Sequence, residues 1–359
     1  MRSEKPVRIG PVPARRQTKH FRDSDHAARL FDGRFQVGIG VYDGISALLA
    51  GKWQFDFAWV SSFCCSATAG LPDVGVIGPE DILRVVRCVR RLVDLPIVVD
   101  LDSGYGDAVK VFHVVEAMAR AGAAGLCIED NPTSKRCSLY DGYQRALAPI
   151  QEHVARLRAA QAAVAGAGVP CRIIARTEAL VAGMGLEEAL TRAQAYAENG
   201  ADAVFIQSLD ATGGEVLDFG RAWKGGTPLF IAPTRLPQVT RKDFADVGIS
   251  HMIFANQGLR AAHAAIDRTF GTLAQAESAA AVSADISTVA AVADLVGARK
   301  VVELESLLAS KLPGAAGPAR VARPRVSPNV LPHLGVHPED KPVISASPTR
   351  YRQRKLLPG

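Results

Sequence analysis

Ile97-Val98-Val99-Asp100-Leu101-Asp102-Ser103-Gly104-Tyr105-Gly106-Asp107 runs from a short β-rich apolar segment into two carboxylates one residue apart. A Ser-Gly-Tyr-Gly turn follows, and then a helix-like run. In a strand, positions i and i+2 share a face, so Asp100 and Asp102 are expected to project together from a strand's C-terminal end. Two like charges so close call for a cation, and a hard divalent metal is the usual answer. The plainer alternative is that the two acids cap the next helix or are simply solvated.

Outward from this stretch the pattern repeats. Short β-rich runs are expected at 36–41, 55–60, 96–100, 125–128, 171–175, 203–206, 228–232 and 251–254. Helical runs lie between them, near 45–50, 79–92, 108–121, 150–165, 186–199, 214–223, 241–247 and 257–274. Pro79 suits a first helical turn, and Gly122 and Gly200 stand where left-handed helix ends are expected. Eight alternating β and α runs in about 240 residues point to an α/β fold, a closed (β/α)8 TIM-type barrel with extra C-terminal helices. No Gly-x-Gly-x-x-Gly follows the first strand, which argues against a dinucleotide-binding sheet. The expected division is a basic extended arm at 1–34, a catalytic barrel at 35–278, helices at 279–312 and a Pro/Arg-rich extended tail at 313–359. In the third part a single helix is expected at 280–296, with Ile286, Val289, Val292 and Leu295 forming a stripe that must be buried.

Composition limits the function classes. The 359 residues are 48% hydrophobic and 22% charged, with a formal net charge of +6. That describes a globular protein with ample core. The six cysteines show no zinc spacing and read as reduced thiols, so a cytoplasmic setting is expected. No uncharged apolar run approaches the roughly 18 residues of a membrane span. The Arg clusters at both ends lack interleaved aromatics, so nucleic acid is not an expected partner.

In a barrel the chemistry sits on the loops at the strands' C-terminal ends. Ser61, Ser62, Asp100, Asp102, Glu129, Arg176, Gln207, Thr234 and Asn256 all fall there. Glu129 would give a third carboxylate to an oxygen-rich site suited to Mg²⁺. Residues 131–142, polar and poor in aliphatics, resemble a lid over the barrel mouth. Within it Lys135 and Arg136 can neutralise an anionic substrate. Cys137, close to these two cations, is expected to have a lowered pKa and to donate or accept a proton. Arg176 suits a bidentate clamp on a carboxylate or phosphate, or a structural pair with Glu178. Ser61-Ser62-Phe63 offers hydroxyls and backbone N–H groups to anionic oxygens.

These motifs, in this order, resemble the phosphoenolpyruvate mutase/isocitrate lyase superfamily. The resemblance runs from about residue 38 to 267. It is carried by Asp100–Gly106, Glu129-Asp130, Lys135-Arg136-Cys137, Ala175–Ala179, Ala255–Ala261 and Gly70-Leu71-Pro72-Asp73. It implies Mg²⁺, with Mn²⁺ as a substitute, and a pyruvate-type enolate. It also implies a homotetramer or dimer of dimers in which a helix after the barrel is swapped. It further implies that Asp100 binds the metal directly while Asp73, Asp102 and Glu129 act through metal-bound water. Ser61, Ser62 and Phe63 would hold the substrate's carboxylate and oxo group, Arg176 would clamp its anionic end, and Lys135 would arrive with the lid.

The two branches of that superfamily are mixed here. C–C lyases carry Lys-[Lys/Arg]-Cys-Gly-His, whereas Ser138-Leu139 follows Cys137, and Gln207 stands where they have Glu. Phosphonomutases carry Glu-Asp-Lys and Lys-x-Asn-Ser-Leu, whereas Asn131 and Cys137 break that pattern. Ser138-Leu139, Asp141-Gly142, Pro233-Thr234-Arg235 and Ala255-Asn256 match the mutase side. The leading expectation is a Mg²⁺-dependent lyase splitting a C–C bond beside a 2-hydroxy or 2-oxo acid, with Cys137 as proton donor. The alternative is C–P chemistry on a small phosphonate, by a phosphoenolpyruvate/phosphonopyruvate mutase or a phosphonopyruvate hydrolase. A remote rival is a non-catalytic barrel whose basic arms bind a partner.

Overall fold

Eight short parallel strands pair in sequence order, and the last closes on the first. They are β1 (Gln36–Val41), β2 (Phe57–Val60), β3 (Ile97–Asp100), β4 (Gly125–Glu129), β5 (Arg172–Thr177), β6 (Ala203–Ile206), β7 (Leu229–Ile231) and β8 (Ile249–Phe254). This is the expected (β/α)8 barrel. The helices are α1 (Asp23–Leu30), α2 (Gly44–Lys52), α3 (Ser62–Thr68), α4 (Pro79–Leu92), α5 (Ala108–Arg120), α6 (Ile150–Ala167), α7 (Gly185–Glu198), α8 (Gly214–Ala222), α9 (Arg241–Asp246), α10 (Gln257–Leu273), α11 (Val289–Leu295) and α12 (Ala298–Lys311). This computed structural model describes residues 23–140, 142 and 145–311. The arm before residue 23, Asp141, Tyr143, Gln144 and the tail beyond 311 lie outside the described residues.

The barrel interior is filled by inward-facing side chains of the strands: Phe57, Trp59, Val98, Ile174, Phe205, Phe230 and Ile253, all essentially buried. Leu30 of α1 plugs the N-terminal end, where its carbonyl accepts from His251 Nε2 at 2.7 Å. Two further apolar clusters, rich in Val, Ile, Leu and Ala, seal strands to helices. The parallel register puts Asp100 beside Cys127 and Glu129 beside Arg176, so the strands' C-terminal ends share one rim.

Local chemistry explains most boundaries. Asp107 caps α5, accepting from Lys110 N at 3.1 Å, and Gly122 follows that helix at φ +93°. Only glycine takes that conformation freely. β2 starts later than expected because the Asp56 carboxylate accepts from Val37 N at 2.8 Å. α3 was not expected: Ser-Phe-Cys-Cys-Ser-Ala-Thr is weak in helix formers, and the capping Ser61 hydroxyl, accepting from Cys64 N, marks its start. The single helix expected at 280–296 is instead a 3-10 turn, Ala279–Val282, followed by α11. The Ser283 hydroxyl donates to the Ala279 carbonyl at 3.2 Å, and Thr288 caps α11, accepting from Ala291 N. Ile286, Val289 and Val292, the stripe expected to be buried, are exposed in the single chain. One compact unit runs through Val296; a second begins at Gly297 and, among the described residues, holds α12. Among the described residues no helix is long and apolar enough to cross a membrane.

Two buried histidines make stability pH-dependent. Burial lowers the pKa of His153 to about 3 and of His251 to about 4, from 6.5. Below 6.5 the unfolded chain therefore binds protons that the folded chain does not. The contribution is complete above pH 6.5 and is lost as pH falls toward 4, at up to about 1.4 kcal/mol per pH unit for each group. His153 lies 4.5 Å from Tyr196, ring to ring, and neither of its nitrogens has a hydrogen-bond partner. His153→Phe should thus keep its packing and flatten the fall of Tm between pH 7 and 5. An unchanged slope would show that His153 is not responsible.

Candidate active site

The site is assembled where β3 ends. Asp100 is the last strand residue; beyond it the chain turns sharply, with Asp102 at φ +52°, Gly104 at +88° and Tyr105 at +65°. Left-handed conformations at two non-glycine residues mark a strained turn held by its surroundings. A Cβ on Gly104 would lie 2.5 Å from Val111 Cγ2, so glycine is required there. Strand alternation does not extend to Asp102, because the strand has already ended. Asp100 faces the cavity, and Asp102 reaches the site through Lys135 instead.

Lys135 is the hub of this half. Its buried ammonium donates to Asp73 Oδ1 at 2.7 Å, to Asp102 Oδ1, and to Ser62 Oγ at 3.1 Å. The Ser62 hydroxyl passes its own hydrogen to Asp100 Oδ2 at 2.9 Å. Tyr140 of the same segment accepts from the Asp73 backbone N–H at 3.1 Å. Asn131 Nδ2 donates to Glu129 Oε1 at 2.9 Å. Residues 131–140 thus lie closed over the barrel mouth.

The opposite half carries hydrogen-bond donors. Arg176 is the penultimate residue of β5, with Nε and Nη2 at 2.6 and 2.5 Å from Glu178 Oε1 and Nε at 3.6 Å from Glu129 Oε2. Both the clamp and the structural pair expected of Arg176 are therefore geometrically open to it. Its guanidinium also lies 5.1 Å above the Phe205 ring, a cation–π contact. Ser138 Oγ accepts from Arg176 Nη2 at 2.9 Å and from Gln207 Nε2 at 3.2 Å. Its own hydrogen then points elsewhere. Thr234 and Asn256 complete this wall, and Asn256 Oδ1 is buried without a partner. Trp59 and Phe205, edge to face at 5.7 Å, make the floor, and Ser61 and Phe63 line the side. The cavity between these walls is about 40 Å³.

Electrostatics test whether a metal fits. Five carboxylates, those of Asp73, Asp100, Asp102, Glu129 and Glu178, are buried here against two cations, Lys135 and Arg176. Burial pushes Glu129 up to about 8, with Arg176 and Lys135 only partly offsetting it. Burial likewise pushes Asp102 up to about 6 against the pull of Lys135. These carboxylates are short of positive charge, which a divalent cation would supply. Among the described residues no three His, Cys, Asp or Glu side chains form a chelating group.

Cys137 requires a correction. Its expected low pKa assumed that Lys135 and Arg136 would dominate. Instead the thiol is buried beside Asp73, and burial pushes its pKa up to about 12. Arg136 points outward and donates to the Lys135 carbonyl at 2.8 Å. Cys137 is therefore an undissociated thiol on the cavity wall. The remaining expected residues all meet in one place. Missed were the supports behind them. Arg156 donates to the Asn131 carbonyl, Arg192 to the Ala148 carbonyl, and Arg145 to carbonyls of residues 136–140. A lone arginine in a helix or loop carries no motif, so no sequence signal could have singled them out.

Comparison with known proteins agrees with this geometry. The family described as phosphoenolpyruvate phosphomutase matches residues 30–274. Phosphonopyruvate hydrolase of Variovorax sp. (strain Pal2) is 34% identical over 280 residues, covering 78% of this chain and 96% of that protein. Phosphoenolpyruvate phosphomutase of Streptomyces hygroscopicus is 39% identical over 230 residues, 64% of this chain and 72% of the relative. A 2-methylisocitrate lyase of Bacillus subtilis (strain 168) is 33% identical over 237 residues, 65% and 75% of the two chains. Among solved structures, a phosphonopyruvate hydrolase in complex with oxalate and Mg²⁺ superposes with a TM-score of 0.73 at 32% identity. It covers 80% of this chain and 99% of its own. A closed barrel, an acid-rich rim and these matches together place the chain in the phosphoenolpyruvate mutase/isocitrate lyase superfamily, to which it belongs.

Proposed function

We propose that this protein hydrolyses the C–P bond of a small 3-phosphono-2-oxo acid of the phosphonopyruvate type. The observation that carries this reading is the donor wall. Arg176, Gln207 and Ser138 are locked together, and the Ser138 hydroxyl, already accepting twice, is left to donate. Such a wall suits a group with several anionic oxygens. The near-complete coverage of a phosphonopyruvate hydrolase supports the same choice.

Asp100, with Asp73, Asp102 and Glu129, would hold Mg²⁺, and Mn²⁺ could replace it. When bound, the metal polarises the 2-oxo group and stabilises negative charge on its oxygen. Ser61, Ser62 and Phe63 position the acid's carboxylate and oxo group, and Lys135 keeps the lid segment over them. The C3–P bond breaks with its electron pair left on carbon as the pyruvate enolate, and the phosphoryl group passes to water. Cys137 then gives its proton to C3, and the proton that the water loses as it takes up the phosphoryl group restores the thiol. A buried, undissociated thiol is in the right state for that donation. A mutase returns the phosphoryl group and needs no proton at C3, so the thiol favours hydrolysis.

Cys137 favours one second reading equally: a C–C lyase protonating a departing enolate. Both reactions release pyruvate, so pyruvate formation from phosphonopyruvate and from 2-methylisocitrate separates them. Faster release from phosphonopyruvate is expected; the reverse order would replace this proposal with the lyase. Cys137→Ala should lower kcat about 10² to 10⁴-fold on either substrate, and unchanged kcat would remove the donor role.

The assembly proposed is a homotetramer or dimer of dimers. α10 buries none of its residues, and Ile266, Phe270 and Leu273 are exposed on it together with Ile286, Val289 and Val292 further along. Exposed apolar faces of this extent support contact with further copies. A cytoplasmic setting rests on the six cysteines, all free.

A further inference from the structure

The geometry points to Arg145 as the positioning residue of the active-site segment. Its Nη2 lies 3.0 Å from the carbonyl oxygen of Cys137, 3.1 Å from that of Ser138 and 2.8 Å from that of Tyr140. Nη1 lies 3.4 Å from the Arg136 carbonyl. One guanidinium therefore gathers four carbonyls from five consecutive residues. A further backbone bond, Tyr140 N to Cys137 O at 3.1 Å, tightens the same curl. Peptide carbonyls that converge on one point repel one another unless a cation sits between them, and a guanidinium supplies several donors in a fixed plane.

The consequence falls on the side chains. With their carbonyls drawn to Arg145, Cys137 and Ser138 present buried side chains to the cavity. Ser138 is held from both directions, its carbonyl on Arg145 and its hydroxyl on Arg176 and Gln207. Cys137 has its carbonyl fixed twice, by Arg145 and by Tyr140 N. Arg145 itself does not line the cavity. It acts through the two residues that the proposed reaction uses, and its role rests on that reading only for the kinetic part of the test.

Arg145→Ala should lower kcat for phosphonopyruvate by about 10²-fold with KM changed little, because a misplacement of about 1 Å costs that much. Ser61, Ser62 and Arg176 still bind the acid. Guanidinium ion at tens of millimolar should restore part of kcat, and Arg145→Lys should fall between the two. Arg221→Ala, at an exposed surface pair with Asp218, is the control and should change nothing. Hydrogen exchange gives a readout independent of any reaction. Amides of residues 135–140 should exchange faster in Arg145→Ala and slow again with guanidinium, while the barrel strands stay protected. If phosphonopyruvate proves not to be a substrate, this exchange result still stands and decides the matter. Wild-type exchange at 135–140 in Arg145→Ala would overturn the proposal. So would loss of protection across the barrel that guanidinium does not reverse.

Discussion

Asp100→Ala is expected to lower kcat/KM on phosphonopyruvate by at least about 10³-fold, roughly 4 kcal/mol of transition-state stabilisation. Asp100, like Glu129, ends a strand, and of the four rim carboxylates it is the one that bonds Ser62, the residue that links it to Lys135. Removing it takes away the proposed direct ligand of Mg²⁺, and with it the charge that stabilises the developing enolate. Mg²⁺ affinity, read by titration calorimetry, should fall in step with activity. Stability should move the other way. Asp100 is a buried carboxylate in a site with too much negative charge, so its loss should leave the metal-free Tm unchanged or raised. Retained Mg²⁺ affinity in Asp100→Ala would move the ligand role to another carboxylate. A lower Tm would show Asp100 to be a structural residue.

Arg176→Met should abolish measurable turnover and also destabilise the fold. The guanidinium is the counter-charge of Glu178 and stands against Glu129. Without it Glu178, which already has one oxygen without a partner, is left charged and buried. Breaking a buried pair from one side costs about 3–5 kcal/mol. Adding Glu178→Gln removes the orphaned charge, so the double variant should recover most of the lost stability and none of the activity. That split separates the clamp from the structural pair. Recovery of activity in the double variant would show that Arg176 serves only to neutralise Glu178. Equal Tm values for the two variants would show that the pair contributes nothing to the fold.

The barrel was legible because its signal is repeated. Eight apolar runs, each followed by a helical run, constrain the topology even where single boundaries shift. The boundaries shift for local reasons: Asp56 bonds as a side chain, and Ser61 caps a helix of poor formers. The site was legible because barrel chemistry collects at strand ends, and Asp100, Glu129, Arg176 and Gln207 could be placed there from spacing alone. Asp102 reached the site by a different route than alternation implied, since it lies beyond the strand at positive φ. Cys137 was misjudged because sequence shows which charges are near in the chain but not burial. Arg136 faces out, Asp73 faces in, and burial outweighs both. Arg145 and Arg192 were invisible because their partners are backbone carbonyls, which every residue has.

The central claim is that the bond broken above this acid-rich floor joins carbon to phosphorus and that the carbon is then protonated. ³¹P NMR of phosphonopyruvate with the full chain and Mg²⁺ reads this directly. The phosphonate resonance should be replaced by inorganic phosphate in step with pyruvate. A phosphonate signal that persists while 2-methylisocitrate is cleaved would contradict the account, and so would its conversion to phosphoenolpyruvate.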